Sequence, residues 1–232
     1  MGTFVVYSDA ADGYIYTQDV SLSVGRSSAA AGKTANTLSA TFIVGEYVSG
    51  TYWTYQAFLD FDTSAVTGTP LDVVLSISLS LDNTTSPASF TTNARAYDWG
   101  ATLEVADWLG ADAAAAPLRA SHTTVGALYN DFVSDASFKD NLANPVRLVL
   151  TNAYTEAGGT ANPPIGSSYV QWSASEAAGT TADPKLTITT ADGPMQTVLP
   201  DADLATTGWT TTPLFSKVND TSDATVITGA LV

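Results

Sequence analysis

Asp9, Asp12, Asp60 and Asp62 are the residues whose type suits them best to hold a hard cation, because calcium takes about six to eight oxygen ligands and favours carboxylates. The four converge only if the first strand of the fold lies beside the fifth, and their spacing does not match an EF-hand loop. A structural calcium is therefore the one cofactor the sequence allows. Asp60 and Asp62 stand two apart and share one face of a strand. Glycoside hydrolysis instead needs two carboxyls facing each other across roughly 5–10 Å, so the pair reads more simply as solvated or turn-capping acids.

Other reactive combinations are weaker. The single histidine, His122, follows Ser121, but no G-x-S-x-G turn surrounds them, and neighbours on an extended segment point apart. The absence of cysteine removes thiol nucleophiles, zinc-thiolate sites and disulfides together. Gly158-Gly159 lacks the lysine and further glycines of a phosphate-binding loop. No catalytic set emerges, and the expectation is a protein that is not an enzyme.

A cluster of aromatics is the more promising chemistry. Tyr47, Tyr52, Trp53 and Tyr55 offer flat apolar faces with hydrogen-bonding edges, which suit glycans, subunit interfaces and core packing alike. Alternation sets Trp53 and Tyr55 on one face and Tyr52 with Thr54 on the other. Trp99, Trp108 and Trp172 fall within strand or helix patterns and read as core.

The elements that must position these residues are strands. From Asp72 to Leu81, Val73, Leu75, Ile77, Leu79 and Leu81 alternate with polar residues, mostly serines, a period that sends the aliphatic groups into a core. Strands are also predicted at 3–7, 13–17, 21–25, 40–47, 52–61, 92–98, 146–150, 169–173 and 185–189, with a loop from Ser27 to Ala35. Between Gly100 and Pro145, Ala-rich sequence predicts short helices, with Ser134 or Asp135 as N-cap, Phe138 and Leu142 one turn apart, and a stop at Asn144-Pro145. The fold class that follows is all-β, a jelly-roll-like antiparallel sandwich over residues 1–190 with short helical insertions. Residues 191–232 carry too few apolar groups for a core of their own and read as an extended arm. Leu204, Trp209, Leu214, Phe215 and Ile227 are its expected docking points.

Bulk composition narrows the partners. The net charge of -15 comes from 23 acids against eight scattered bases, so no cationic patch exists for nucleic acid or an anionic membrane surface. No run reaches the roughly 18 apolar residues of a membrane-spanning helix, and Met1–Tyr7 has neither the basic start nor the apolar run of an export signal. Only 13% of residues are charged, which leaves a surface rich in neutral hydroxyls.

Several segments in order resemble the DNRLRE type of domain, a β-sandwich related to disaggregatase repeats and to carbohydrate-binding modules. They are Asp12-Gly13-Tyr14-Ile15, Ser21-Leu22-Ser23-Val24-Gly25, the run Ala57 to Ser64, Tyr97-Asp98-Trp99 with Trp108, Tyr169 to Ala177, and Asp183 to Ile188, covering roughly residues 5 to 190. Asp60 and Asp183 stand where that pattern often has arginine, which puts any ion pairing made there in doubt. The wording of Phe58 to Ser64 and of Ala202 to Thr210 is similar to versions in tail and other virion proteins of actinobacterial phages. That resemblance implies a virion structural protein, made in the host cytoplasm and exposed on the particle, tail-associated or part of a head decoration or fibre. Its expected partners are other virion proteins, further copies of itself and a host-surface glycan. The alternative is a carbohydrate-binding module of a bacterial secreted or surface protein.

Overall fold

The computed structural model describes residues 1–9, 11–37, 39–84, 91–123, 129–160, 163–174 and 182–191, with the backbone of two further strands at 210–215 and 224–228. The chain divides into two units, Met1–Pro194 and Met195–Val232. The first unit is all-β. Its strands are β1 (Gly2–Tyr7), β2 (Gly13–Asp19), β3 (Lys33–Asn36), β4 (Thr41–Ser49), β5 (Thr51–Phe61), β6 (Pro70–Thr84), β7 (Thr92–Ala96), β8 (Leu118–His122), β9 (Tyr129–Asp131), β10 (Val133–Ser134), β11 (Val146–Asn152), β12 (Ser167–Ser173) and β13 (Lys185–Thr190). Every described pairing is antiparallel, in the order β1-β13-β6-β12-β4-β5-β11-β7-β8-β10, with β2 between β3 and β5 and β9 beside β6.

One strand turns this continuous sheet into two layers. β2 lies along one edge of β5 from Tyr52 to Phe58, while the other edge pairs first with β4 and then, from Ala57 to Phe61, with β11. The sheet forks there, and its two branches close on each other. Phe42, Val44 and Trp172 of one branch meet Leu59, Phe61 and Leu148 of the other in the main core. A second cluster, built on Ile15, Phe58 and Val149 from the opposite face of β2, β5 and β11, is capped by Trp99, Leu103 and Trp108. The three tryptophans expected in the core are buried.

Several local expectations are corrected. Ser21–Gly25 is not a strand: Leu22–Gly25 form one helical turn, α1, with Leu22 and Gly25 buried and the Gly25 carbonyl accepting from Thr17 Oγ1 at 2.8 Å. The predicted loop from Ser27 ends in β3, whose residues find a ladder on β2. Between 100 and 145 the helical expectation holds for two 3-10 helices, Val105–Asp107 and Gly110–Ala115, and for α2 (Ser137–Asp140), but β8, β9 and β10 share the region. The N-cap expectation is corrected: Ala136 occupies that position with no side-chain cap, Ser134 lies in β10, and the Asp135 carboxylate accepts from the Ser137 amide at 2.8 Å in the turn before the helix, while Leu142 lies beyond the end of α2. A third helix, α3 (Ala153–Ala157), follows β11 directly.

The alternating run on β6 also departs from its pattern at one end. Val73, Leu75 and Ile77 are in the core, whereas Leu81 is 44% exposed. Leu79 pairs with Trp172 but Leu81 pairs with Gln171, so one extra residue on β6 forms a bulge. An odd insertion reverses the faces of everything beyond it, and Leu81 is turned outward.

In the second unit, β14 (Thr210–Phe215) pairs antiparallel with β15 (Ala224–Thr228). Of the expected docking residues, Leu204 and Trp209 lie outside the described residues, and Leu214, Phe215 and Ile227 are described by backbone alone.

Candidate functional site: an uncharged aromatic face

The ladder register gathers rings from four strands onto one face. Tyr16 is opposite Tyr55, Tyr55 is opposite Gly45, and Gly45 is opposite Tyr169, so a single row crosses β2, β5, β4 and β12. Trp53 and Tyr47 are opposed in the next row, and Tyr14 precedes Tyr16 on the same side of β2. Ring centroids stand 5.4 Å apart for Tyr16–Trp53, 5.7 Å for Tyr16–Tyr55 and 6.4 Å for Tyr55–Tyr169. These are ordinary distances for tilted aromatic pairs. All six rings are half-buried.

Gly45 explains why the row is continuous. With φ at +128°, it occupies a conformation that side chains rarely adopt, and a Cβ there would lie 2.4 Å from the Ser168 carbonyl oxygen. Tyr55 and Tyr169, its partners on either side, close over the bare backbone instead. Burial, with Tyr14, Tyr169, Tyr16 and Tyr47 close by, holds the Tyr55 phenol well above its usual value, so it stays protonated at any physiological pH.

Along β5, the face that carries Trp53 and Tyr55 continues as Ala57, Leu59 and Phe61 in the main core. The aromatics are thus the core's own surface, carried outward beyond the fork. Three of the four residues expected from sequence belong here: Tyr47, Trp53 and Tyr55. Tyr52 does not, because it pairs with Val48 on the opposite face. Tyr14, Tyr16 and Tyr169 were missed, since nothing in their own segments reveals that β2 and β12 flank β5 and β4.

Beneath this face lies a buried polar network. Arg26, fully buried, donates from Nε and Nη2 to the two carboxylate oxygens of Glu46 at 2.7 and 2.8 Å, and from Nη1 to the Gly158 carbonyl at 3.2 Å. Thr155 Oγ1 donates to Glu46 Oε1 at 3.1 Å, and Gln56 Nε2 to the Gly110 carbonyl at 2.9 Å. The network ties α1, α3 and the 3-10 helix at 110–115 to the back of β4 and β5, which fixes the strands that present the rings.

The four aspartates are only partly assembled. The Asp9 amide donates to the Asp60 carbonyl oxygen at 3.1 Å, and Asp12 Oδ1 accepts from the Asp60 amide at 2.9 Å, so these three meet where β5 passes the β1–β2 turn. The Asp9 and Asp62 carboxylates cap their own turns, accepting from Ala11 at 2.7 Å and Ser64 at 2.9 Å. Asp60 is engaged by Arg147, its direct partner across the β5–β11 ladder, at 2.8 Å. The position where the resemblance left ion pairing in doubt therefore carries a pair, with the arginine on β11. Burial nevertheless raises the Asp60 pKa, while a hydrogen bond from Arg147 lowers that of Asp98. Among the described residues, no group of three or more acidic or histidine side chains is arranged to hold a metal ion.

Ser121 and His122 are consecutive on β8 and project to opposite faces. The His122 Nδ1 contacts the Asp131 carbonyl at 3.1 Å, and its ring packs 5.3 Å from that of Phe132. Neither the protein-family models nor the curated proteins compared with this chain include a match.

Proposed function

We propose that this chain is a non-enzymatic structural component of a phage particle, in which the sandwich is a rigid scaffold and the aromatic face makes the contact with a partner. The observation that carries the proposal is the row of rings on four hydrogen-bonded strands, a large, preorganised and partly exposed recognition surface. Two further points support a role without chemistry. The one Ser-His neighbour pair diverges, and the Asp60 carboxylate is held by Arg147, which also bridges to Asp98, in a structural ion-pair cluster. Assembly then draws on other virion proteins and on further copies of the chain, where repeated weak contacts add through avidity. Residues 191–232 serve as the docking arm in this reading.

A second reading, a carbohydrate-binding module of a bacterial secreted or surface protein, draws on the same face. One experiment separates the two: mass spectrometry of purified particles from cells expressing the full chain or a chain truncated after residue 190. The full chain is expected in particles and the truncated chain is not, while both show the same thermal transition. Normal incorporation of the truncated chain refutes the arm. Absence of the full chain from particles, with recovery from the cell envelope, favours the second reading.

A further inference from the structure

We infer that the occupant of the aromatic face is an uncharged saccharide, lying across the strands along the row Tyr16–Tyr55–Tyr169. This deepens the contact-surface reading above and rests on it.

The first observation is charge. In a chain of net charge -15, every residue that this face presents on β2, β4, β12 and the first half of β5 is aromatic, aliphatic, glycine, hydroxyl or amide. β3 and β6, the next strands out, add Thr34, Asn36, Leu81 and Asn83, again without charge. Glu46, the one acid within β4, points to the other side and is buried against Arg26. Among the described residues of these strands, an anionic polymer would find no cation on this face, and a basic one would find no acid.

The second observation is how polar and apolar groups are distributed. Rings fill the centre, and amides and hydroxyls make up most of the border: Gln18 and Thr51 at one end of β2 and β5, Asn36 beside Tyr14, and Gln171 and Asn83 beyond Tyr169, with the exposed Leu81 opposite Gln171. Asn36 Nδ2 donates to the Tyr14 hydroxyl at 3.1 Å, and Gln18 Nε2 donates to Thr51 Oγ1 at 3.1 Å, so border groups are oriented before any ligand arrives. A sugar ring presents axial C–H bonds on its faces and hydroxyls around its rim. It matches a surface with π faces inside and neutral donors and acceptors outside.

Length gives the third constraint. Four adjacent strands at about 4.8 Å spacing span about 14 Å, room for a short run of linked sugar rings rather than one. The rings sit on strands whose backbone is fixed by the ladder, which lowers the ordering cost of binding. The row runs perpendicular to the strands, so Tyr16 and Tyr169 bear on different parts of one oligosaccharide.

The test is affinity electrophoresis of the full chain through gels containing neutral polymers (a soluble β-glucan, an α-mannan, a galactan) or an anionic one (polygalacturonate), with Trp fluorescence as second readout. Retardation by at least one neutral polymer is expected, unchanged in 1 M salt and weakened at least tenfold by Trp53→Ala and by Tyr16→Phe/Tyr169→Ala. Far-UV circular dichroism of each variant confirms that the sheet persists. Retardation by polygalacturonate alone, or neutral-polymer binding that survives these substitutions, overturns the inference. So does the absence of retardation in every gel. If in that last case Trp53→Ala also abolishes incorporation into particles, the contact-surface reading stands with a protein as occupant; if incorporation is normal, both fail.

Discussion

Glu46→Gln is the sharpest probe of how the aromatic face is supported. The substitution keeps shape and one acceptor oxygen but removes the charge that faces a fully buried guanidinium. Breaking one side of a buried ion pair costs about 3–5 kcal/mol, because the remaining charge is left uncompensated. Arg26 would keep the Gly158 carbonyl at 3.2 Å and the Gly159 carbonyl at 3.4 Å, so the loss should sit near the lower end, about 3 kcal/mol. For a chain of this size each kcal/mol moves the midpoint by about 2–4 °C, giving a fall of about 6–12 °C. Urea denaturation followed by Trp fluorescence reports the site directly, since the Trp108 indole donates to the Ser27 carbonyl, one residue from Arg26, at 2.9 Å. The control is Arg26→Met combined with Glu46→Leu. Removing both charges leaves no uncompensated ion, so the pair should be less destabilising than Glu46→Gln alone. A Glu46→Gln protein within 1 kcal/mol of the parent, or a double variant worse than the single one, would refute the reasoning.

Burial raises the Asp183 pKa above its ordinary 3.8, and Asp183 Oδ1 has no hydrogen-bond partner among the described residues. A carboxyl whose folded pKa is raised favours the fold when protonated, and that contribution is lost as pH rises from the unfolded value through the folded one. Asp183→Asn should therefore match the parent near pH 3 and become the more stable protein at pH 7; a difference in unfolding free energy that does not change with pH contradicts this. On β6, Leu75→Ala should cost about 2–5 kcal/mol as a core truncation, whereas Leu81→Ala, beyond the bulge, should change stability by no more than about 0.5 kcal/mol. Equal losses in chemical denaturation would place Leu81 in the core.

The alternation at Val73, Leu75 and Ile77, and the split of Trp53 and Tyr55 from Tyr52, were legible in the sequence because a strand's period of two is a local property. For the same reason the all-β class, nine of the ten predicted strands and the buried tryptophans followed from pattern alone. The exceptions mark where distant contacts outweigh local preference. Leu22–Gly25 reads as strand, yet one helical turn lets Arg26 reach Glu46 and Gly25 meet Thr17. Leu81 completes a faultless alternation but faces outward, because register is set by the partner strand and β12 supplies one residue where β6 supplies two.

By itself, then, the sequence decided which residues of each strand share a face wherever no bulge intervenes, and so that some aromatics would stand together. Only the tertiary structure decided that Tyr14, Tyr16 and Tyr169 join them and that Arg147 meets Asp60, because adjacency in a sheet depends on which distant strands pair. Side-chain alternation constrains the faces of a strand and leaves its neighbours free; the ladder hydrogen bonds and the packed core choose among them.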